Sequence, residues 1–288
     1  MPTTAERLRL LLEQIGRRTL VMGVLNATPD SFYDGGRYPT LDAALTRAEQ
    51  MLSDGVDILD IGGESTRPGA EPVPEDEETR RVVPLIEAIL ARHPHAIVSV
   101  DTTKSRVAQL ALQAGACIVN DISGATFDPH ILTIAAQAGA LVVLMHIKGT
   151  PQTMQQNPTY ADVVAEVCEA LAAHAQRAQQ AGIPQAHIWL DPGIGFGKTM
   201  QHNLELLRGL PQLKGLGYPI LIGTSRKSFI GHILGGLPPE ERLEGTLATL
   251  ALAVAWGADV VRVHDVKEAV RAVKVADALC RGRDEAHG

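Results

Sequence analysis

At 288 residues with a formal net charge of -7, the chain can form one large α/β domain or two small ones. Its acidity excludes bulk attraction to nucleic acid or anionic membrane, so an anionic substrate would have to be met by a local cluster of cations. Apolar residues make up 45% and aromatics only 3%, with 27 glycines and 17 prolines, which excludes a disordered chain and an all-strand fold and suits a β/α scaffold that turns often.

Residues 1–19 read as a helical extension. The apolar patch Leu8 to Leu12, interrupted by Arg9 and followed by Glu13, is too short and too charged for a secretory core, and Thr4 is expected to cap a short helix under the rest of the fold. No window reaches the roughly 18 apolar residues of a membrane span, so a soluble cytoplasmic protein is expected. Small joints then recur: Asp54-Gly55-Val56, Ala114-Gly115-Ala116, Ala138-Gly139-Ala140 and Trp256-Gly257-Ala258. Each follows an amphipathic stretch and precedes an apolar run, the pattern of a helix stopped by a glycine and followed by a strand. Gly182-Ile-Pro184 and Gly217-Tyr-Pro219 do the same with proline as the stop.

Strands are expected near residues 20–25, 56–61, 96–100, 116–120, 141–145, 187–190, 219–223 and 259–263, all near-continuous apolar runs as in a parallel sheet covered on both faces. Leu41, Ala44, Leu45, Ala48 and Leu52 share one helical face, as do Val266, Ala269, Val270, Val273, Ala276 and Leu279. Eight alternating units imply an α/β fold, a single-domain (β/α)8 TIM barrel over residues 20–280, in preference to a doubly wound open sheet. The acidic run Glu75 to Glu78 reads as a solvated helix N-terminus, and residues 281–288 as a disordered tail. Cys117, Cys168 and Cys280 match no disulfide or metal spacing.

Chemistry in such barrels sits at the C-terminal strand ends. Those ends carry Asn26, Asp60, Asp101, Asn120 with Asp121, His146, Asp191, the run Gly223-Thr-Ser-Arg-Lys-Ser228, and Arg262 with His264 and Asp265. Singly, each has a plain structural account as a helix cap or a solvated rim residue. Together they divide into a carboxylate and amide side, Asp101, Asn120 and Asp191, and a cationic side, Lys227, Arg262 and His264. The first suits a heterocycle rich in N–H donors and ring acceptors, the second a phosphate or diphosphate. The glycine loop after Asp191 is not a P-loop, because Pro192 stands where a Walker glycine is required, and its G-x-G-x-G spacing departs from the dinucleotide fingerprint.

At these residues the chain resembles the dihydropteroate synthase family of pterin-binding enzymes. The matching segments are Gly23-Val-Leu-Asn-Ala-Thr-Pro-Asp-Ser-Phe32 with Asp34-Gly-Gly36, Asp60-Ile-Gly-Gly-Glu-Ser-Thr-Arg-Pro-Gly69, Ser99-Val-Asp-Thr102, Asn120-Asp-Ile-Ser-Gly124, Met145-His146 with Gly149-Thr-Pro151, Leu190-Asp-Pro-Gly-Ile-Gly-Phe-Gly-Lys-Thr199, Gly223-Thr-Ser-Arg-Lys-Ser228 and Arg262-Val-His-Asp265. Tyr33 departs from the pattern, where serine is usual. The resemblance implies condensation of p-aminobenzoate with dihydropterin methyl diphosphate, Mg2+ on the diphosphate, and a homodimer. It implies a pterin site of Asp101, Asn120, Met145, Asp191, Phe196, Gly223 and Lys227. The diphosphate would meet Asn26, Arg262 and His264, with Asn26 also at the metal, and the p-aminobenzoate subsite would comprise Phe32, Asp34, Thr66, Arg67, Pro68 and Ser225. Asp101, Lys227, Arg262 and His264 would carry catalysis, with loops 28–38 and 64–72 closing over the site. Leu247, Leu250 and Val254 are candidates for the dimer contact or for packing on the barrel. The rival readings are a folate-to-corrinoid methyltransferase, which needs no diphosphate clamp, a Schiff-base aldolase using Lys227, and a non-catalytic pterin binder.

Overall fold

The computed structural model describes residues 2–27, 41–67 and 69–282. In chain order the elements are α1 (Thr4–Leu12), β1 (Leu20–Asn26), α2 (Leu41–Ser53), β2 (Ile58–Gly62), α3 (Glu75–Arg92), β3 (Val98–Asp101), α4 (Ser105–Gln113), β4 (Ile118–Asp121), α5 (His130–Ala138), β5 (Leu141–Met145), α6 (Val163–Gln180), β6 (Ile188–Asp191), α7 (Met200–Arg208), α8 (Leu210–Lys214), β7 (Leu221–Ile222), α9 (Ser228–Ile233), α10 (Leu243–Ala255), β8 (Val260–Val263) and α11 (Val266–Cys280). No described helix is long and apolar enough to cross a membrane.

The eight strands pair in parallel in the order β6-β5-β4-β3-β2-β1-β8-β7, and a bridge between Leu190 and Ile220 closes the ring from β6 to β7. The result is the (β/α)8 barrel expected from the alternating runs. All six joint glycines, Gly55, Gly115, Gly139, Gly182, Gly217 and Gly257, have positive φ, a conformation that a side chain resists. The chain can therefore stop each helix and turn back into the sheet over connections of two to seven residues.

Two apolar cores follow from strands buried on both faces. Leu20, Met22, Ile58, Ile118, Val143 and Trp189 fill the barrel interior, and Leu8 and Leu11 of α1 join them from below. The second core lies between the strands and the outer helices. Helix α1 thus plugs the bottom of the barrel, and Arg7 ties it there by donating to the carbonyls of Ala96 (2.9 Å) and Gly115 (2.7 Å). Burial of Leu8 and of Leu11 contributes roughly 1.5–3 kcal/mol each.

Several expectations need correction. Thr3, rather than Thr4, caps α1, in a reciprocal capping box with Glu6. Glu78 is not solvated; it is buried against Lys104. Leu279 is 81% exposed, because successive steps of three from Val273 fall behind a helix of about 3.6 residues per turn and carry it round from the buried face, and in α2 Leu41 is exposed at the N-terminus while Met51 joins the buried face near the other end. Leu250 and Val254 are buried in the outer core and Leu247 packs against it, so these three side chains serve the barrel. Residues 283–288 of the expected tail lie outside the described residues, while Arg281 is held by Asp277 and the Ala258 carbonyl.

Candidate active site

Because every strand runs the same way, their C-terminal ends emerge at one rim. Asp60, Asp101, Asn120, Asp191 and Arg262 stand at that end, above the apolar interior. The Arg262 guanidinium donates from Nε to Asp60 Oδ2 (2.7 Å) and from Nη2 to Asp101 Oδ2 (2.6 Å), and Asn120 Nδ2 donates to the same Asp60 oxygen (3.0 Å). Asp60 is fully buried. Among the described residues, its Oδ1 and the Ser99 hydroxyl beside it in register have no hydrogen-bond partner. Burial alone would push the Arg262 guanidinium down, but Asp60 and Asp101 outweigh it and hold the group above its ordinary value. Burial raises the Asp101 carboxyl, with Arg262 opposing.

On the opposite wall, Asp191 ends β6 and accepts the Gly193 N–H through Oδ1 (2.7 Å). Burial raises its carboxyl, and the charge of Lys227 is the main opposing pull. Lys227 donates to the Ile194 carbonyl and lies 4.9 Å from the centre of the Phe196 ring, within cation–π range. Burial brings its ammonium down to about 8 despite Asp191. Gly223 belongs to this wall: a Cβ there would stand 3.8 Å from both Arg262 Cβ and Lys227 Nζ. Met145 pairs in register with Asp191 and is buried.

The glycine loop after Asp191 does something other than expose backbone amides. A Cβ on Gly193 would come within 1.9 Å of the His146 carbonyl oxygen, and one on Gly197 within 2.5 Å of the Lys148 carbonyl oxygen. These glycines let the loop press against the segment that follows β5. Lys198 then fastens the two, donating to His146 Nδ1 (2.9 Å) and to the Phe196 carbonyl (2.9 Å). Burial lowers Lys198 to about 7, and burial with the Lys198 charge lowers His146 to about 3, so this histidine is a neutral acceptor.

His264 is joined to Ser225 twice: its backbone N–H donates to Ser225 Oγ (3.1 Å), and Oγ lies 3.0 Å from His264 Nδ1. Oγ accepts from the backbone and can at the same time donate its hydroxyl proton to Nδ1. The imidazole then carries its own proton on Nε2, a neutral donor suited to a phosphate oxygen. Burial, reinforced by Arg262, lowers His264 to about 4. Arg67 is exposed, but its charge still reaches His264. Thr66 lines a cavity of about 250 Å³ together with Asp101, Thr102, Phe127, Pro151 and Gln152.

A family model described as pterin binding enzyme matches residues 22–264. The chain belongs to that family. It is 53% identical over 266 residues to a dihydropteroate synthase of Synechocystis sp., covering 92% of each chain, and 49% identical over 271 residues to that of Bacillus subtilis, covering 94% of this chain and 92% of the other. Among solved structures, Yersinia pestis dihydropteroate synthase with a sulfonamide drug complex superposes with a TM-score of 0.86 at 45% identity, over 91% of this chain and 94% of that one. The Xanthomonas albilineans enzyme in complex with 7,8-dihydropteroate gives 0.82 at 42%, with the same coverage.

Of the residues assigned from resemblance to the pterin-binding enzymes, Asp101 and Arg262 are in direct contact, Ser225 holds His264, and Phe196, Gly223 and Asp191 surround Lys227. Asn26 ends β1, with its Oδ1 3.8 Å from where a Cβ on Gly62 would stand. Phe32, Asp34 and Pro68 lie outside the described residues, as do Tyr33 and the loop 28–38. Asp60 and Lys198 were assigned no role from sequence. Asp60 shows the same signal as Asp101, a carboxylate in an apolar strand, whereas nothing local marks Lys198.

Proposed function

We infer that the chain condenses p-aminobenzoate with (7,8-dihydropterin-6-yl)methyl diphosphate, giving 7,8-dihydropteroate and diphosphate in folate synthesis. The observation that carries this reading is one rim that gathers acceptors for a donor-rich ring and cations for an anionic leaving group, with Arg262 joined to the acceptor side through Asp101. Asp101, Asn120 and Asp191 offer acceptors to a donor-rich ring, with Phe196 and Met145 supplying apolar contact, Gly223 leaving room beside the ring and Lys227 donating to its carbonyl. Arg262, neutral His264 and Asn26 form the side suited to an anionic leaving group.

In the reaction the bond from the pterin methylene to the diphosphate oxygen breaks, the arylamine nitrogen forms a bond to that carbon, and the amine loses a proton. The arylamine is a modest nucleophile, so stabilising the departing charge and the cation left on the methylene lowers the barrier most, which favours a dissociative substitution. The Asp101 and Asp191 carboxylates suit the positive charge left behind. Thr66, Arg67 and Ser225, with Phe32, Asp34 and Pro68, would border the p-aminobenzoate.

Mg2+ keeps waters and phosphate oxygens as ligands. Among the described residues no cluster of His, Cys, Asp and Glu could hold a metal ion, so a single amide oxygen from Asn26 fits an ion that arrives with the diphosphate. When bound, it supplies charge neutralisation on the leaving group. Diphosphate release from the pterin substrate should therefore require Mg2+ and fall to background with excess chelator, while formation of 7,8-dihydropteroate should require p-aminobenzoate as well. No dihydropteroate with both substrates and Mg2+ present would sink the reading.

The same reading includes a homodimer, supported by the exposed apolar side chains Leu252 on α10 and Val275 and Leu279 on the adjacent α11. Light scattering should give twice the mass of the chain, and a monomer mass would remove this part.

A further inference from the structure

The segment joining β2 to α3 carries Thr66 and Arg67, and its two ends are fastened by contacts that the chemistry above does not use. At its foot, Glu64 Oε2 accepts the Val73 N–H (3.1 Å), drawing the two ends of the loop together. The same carboxylate oxygen accepts from Lys104 Nζ, which also donates to Glu78 Oε2 on α3. Glu78 is buried, so this one ammonium serves a desolvated carboxylate and the foot of the loop at once. Arg81 adds a bond from Nη1 to the Gly63 carbonyl (2.8 Å). Gly63 has no room for a side chain, since a Cβ would meet Glu78 Cγ at 2.8 Å.

At the tip, the Gly69 N–H donates to the Pro151 carbonyl (3.1 Å), and Gln152 Nε2 donates to the Ala70 carbonyl (3.2 Å). The seat is the Gly149-Thr-Pro151 stretch, noticed in the sequence and given no part in the reaction. Between foot and tip, the loop roofs the cavity that Thr66 shares with Asp101.

We propose that Lys104 is a positioning residue for the second substrate: with Glu64 and Glu78 it locks the foot of the β2–α3 loop while residues 149–152 seat its tip, so that Thr66 and Arg67 are held in place before the arylamine arrives. The proposal rests on the reading that those two residues border the p-aminobenzoate. Without the ammonium, two carboxylates face each other, one of them buried. They must separate or share a proton, and either outcome releases Glu64 from its place. A loop shifted by an ångström is enough to cost on the order of a hundredfold in a positioned reaction.

The test compares Lys104→Met, Lys104→Arg, Gln152→Ala and, as a reference, Arg67→Ala. Lys104→Met should raise KM for p-aminobenzoate about tenfold while KM for the pterin diphosphate stays within about twofold. Arginine, which can bridge two carboxylates, should restore most of the loss. Gln152→Ala, an exposed truncation that leaves the core intact, should move the arylamine KM the same way by about threefold. Hydrogen exchange should rise at the amides of residues 64–73 in both Lys104→Met and Gln152→Ala. Unchanged exchange there, or equal rises in both KM values, overturns the clamp. An arylamine KM unmoved in Arg67→Ala instead overturns the subsite reading, while the exchange result still decides whether the loop is pinned.

Discussion

Arg262→Met is expected to lower kcat/KM by on the order of a thousandfold, since removing one preorganised donor to developing charge costs about 10²–10³ in rate and this guanidinium is the strongest donor on the diphosphate side of the proposed site. The structure adds a second consequence. Arg262 bridges Asp60 and Asp101, and removing one partner of a buried ion pair costs about 3–5 kcal/mol because the other charge is left uncompensated. Asp101 is also among the groups proposed to hold the pterin, so pterin affinity should fall too, by about tenfold. The double variant Arg262→Met with Asp60→Asn separates the effects: it should regain part of the thermal stability, because one of the two uncompensated carboxylates is gone, while pterin affinity and turnover stay low because Asp101 still lacks its partner. Turnover that recovers along with the melting temperature would show that the arginine acts only as a structural counterion.

Asp191→Asn should weaken binding of the pterin diphosphate by on the order of a hundredfold or more, measured by calorimetry without p-aminobenzoate, and should also lower kcat, since its carboxylate suits the positive charge left on the pterin. The carboxylate is almost wholly buried and one oxygen is already committed to the Gly193 N–H, which leaves the other as an acceptor. Asparagine at that point presents either one acceptor or an NH2 group facing the donors of the ring, and a buried donor without a partner costs about 1–3 kcal/mol. The change also removes the pull that partly offsets the burial of Lys227, so both grips on the ring loosen together. A loss below about threefold would mean that Asp191 merely shapes its loop through Gly193.

Most of the architecture could be read along the chain because the relevant signals are local. An amphipathic run, a glycine and an apolar run occupy about twenty residues, and the six joint glycines do take the backbone conformation that the pattern demands. The site residues were visible because a polar side chain at the end of a buried strand stands out. Their partnerships were not. Asp60 and Arg262 are 202 residues apart and meet only because β1 brings β2 and β8 to its two sides. Lys198 sits in a glycine-rich stretch that resembles a solvent loop until the backbone of the β5 segment closes over it. Glu78 belongs to an acidic run that satisfies a helix N-terminus, and only the neighbouring β3–α4 turn, bearing Lys104, makes it a buried ion-pair partner.

The ring of strands is unevenly sewn. Between β6 and β7 the ladder shrinks to the bridge of Leu190 with Ile220 and the bond from the Leu190 N–H to the Pro219 carbonyl (2.9 Å), while β7 itself spans only two residues. Asp191 and Lys227 stand on either bank of that gap. A heterocycle gripped by both would act as a rivet across the weakest join of the barrel, so occupancy and closure of the wall would reinforce one another.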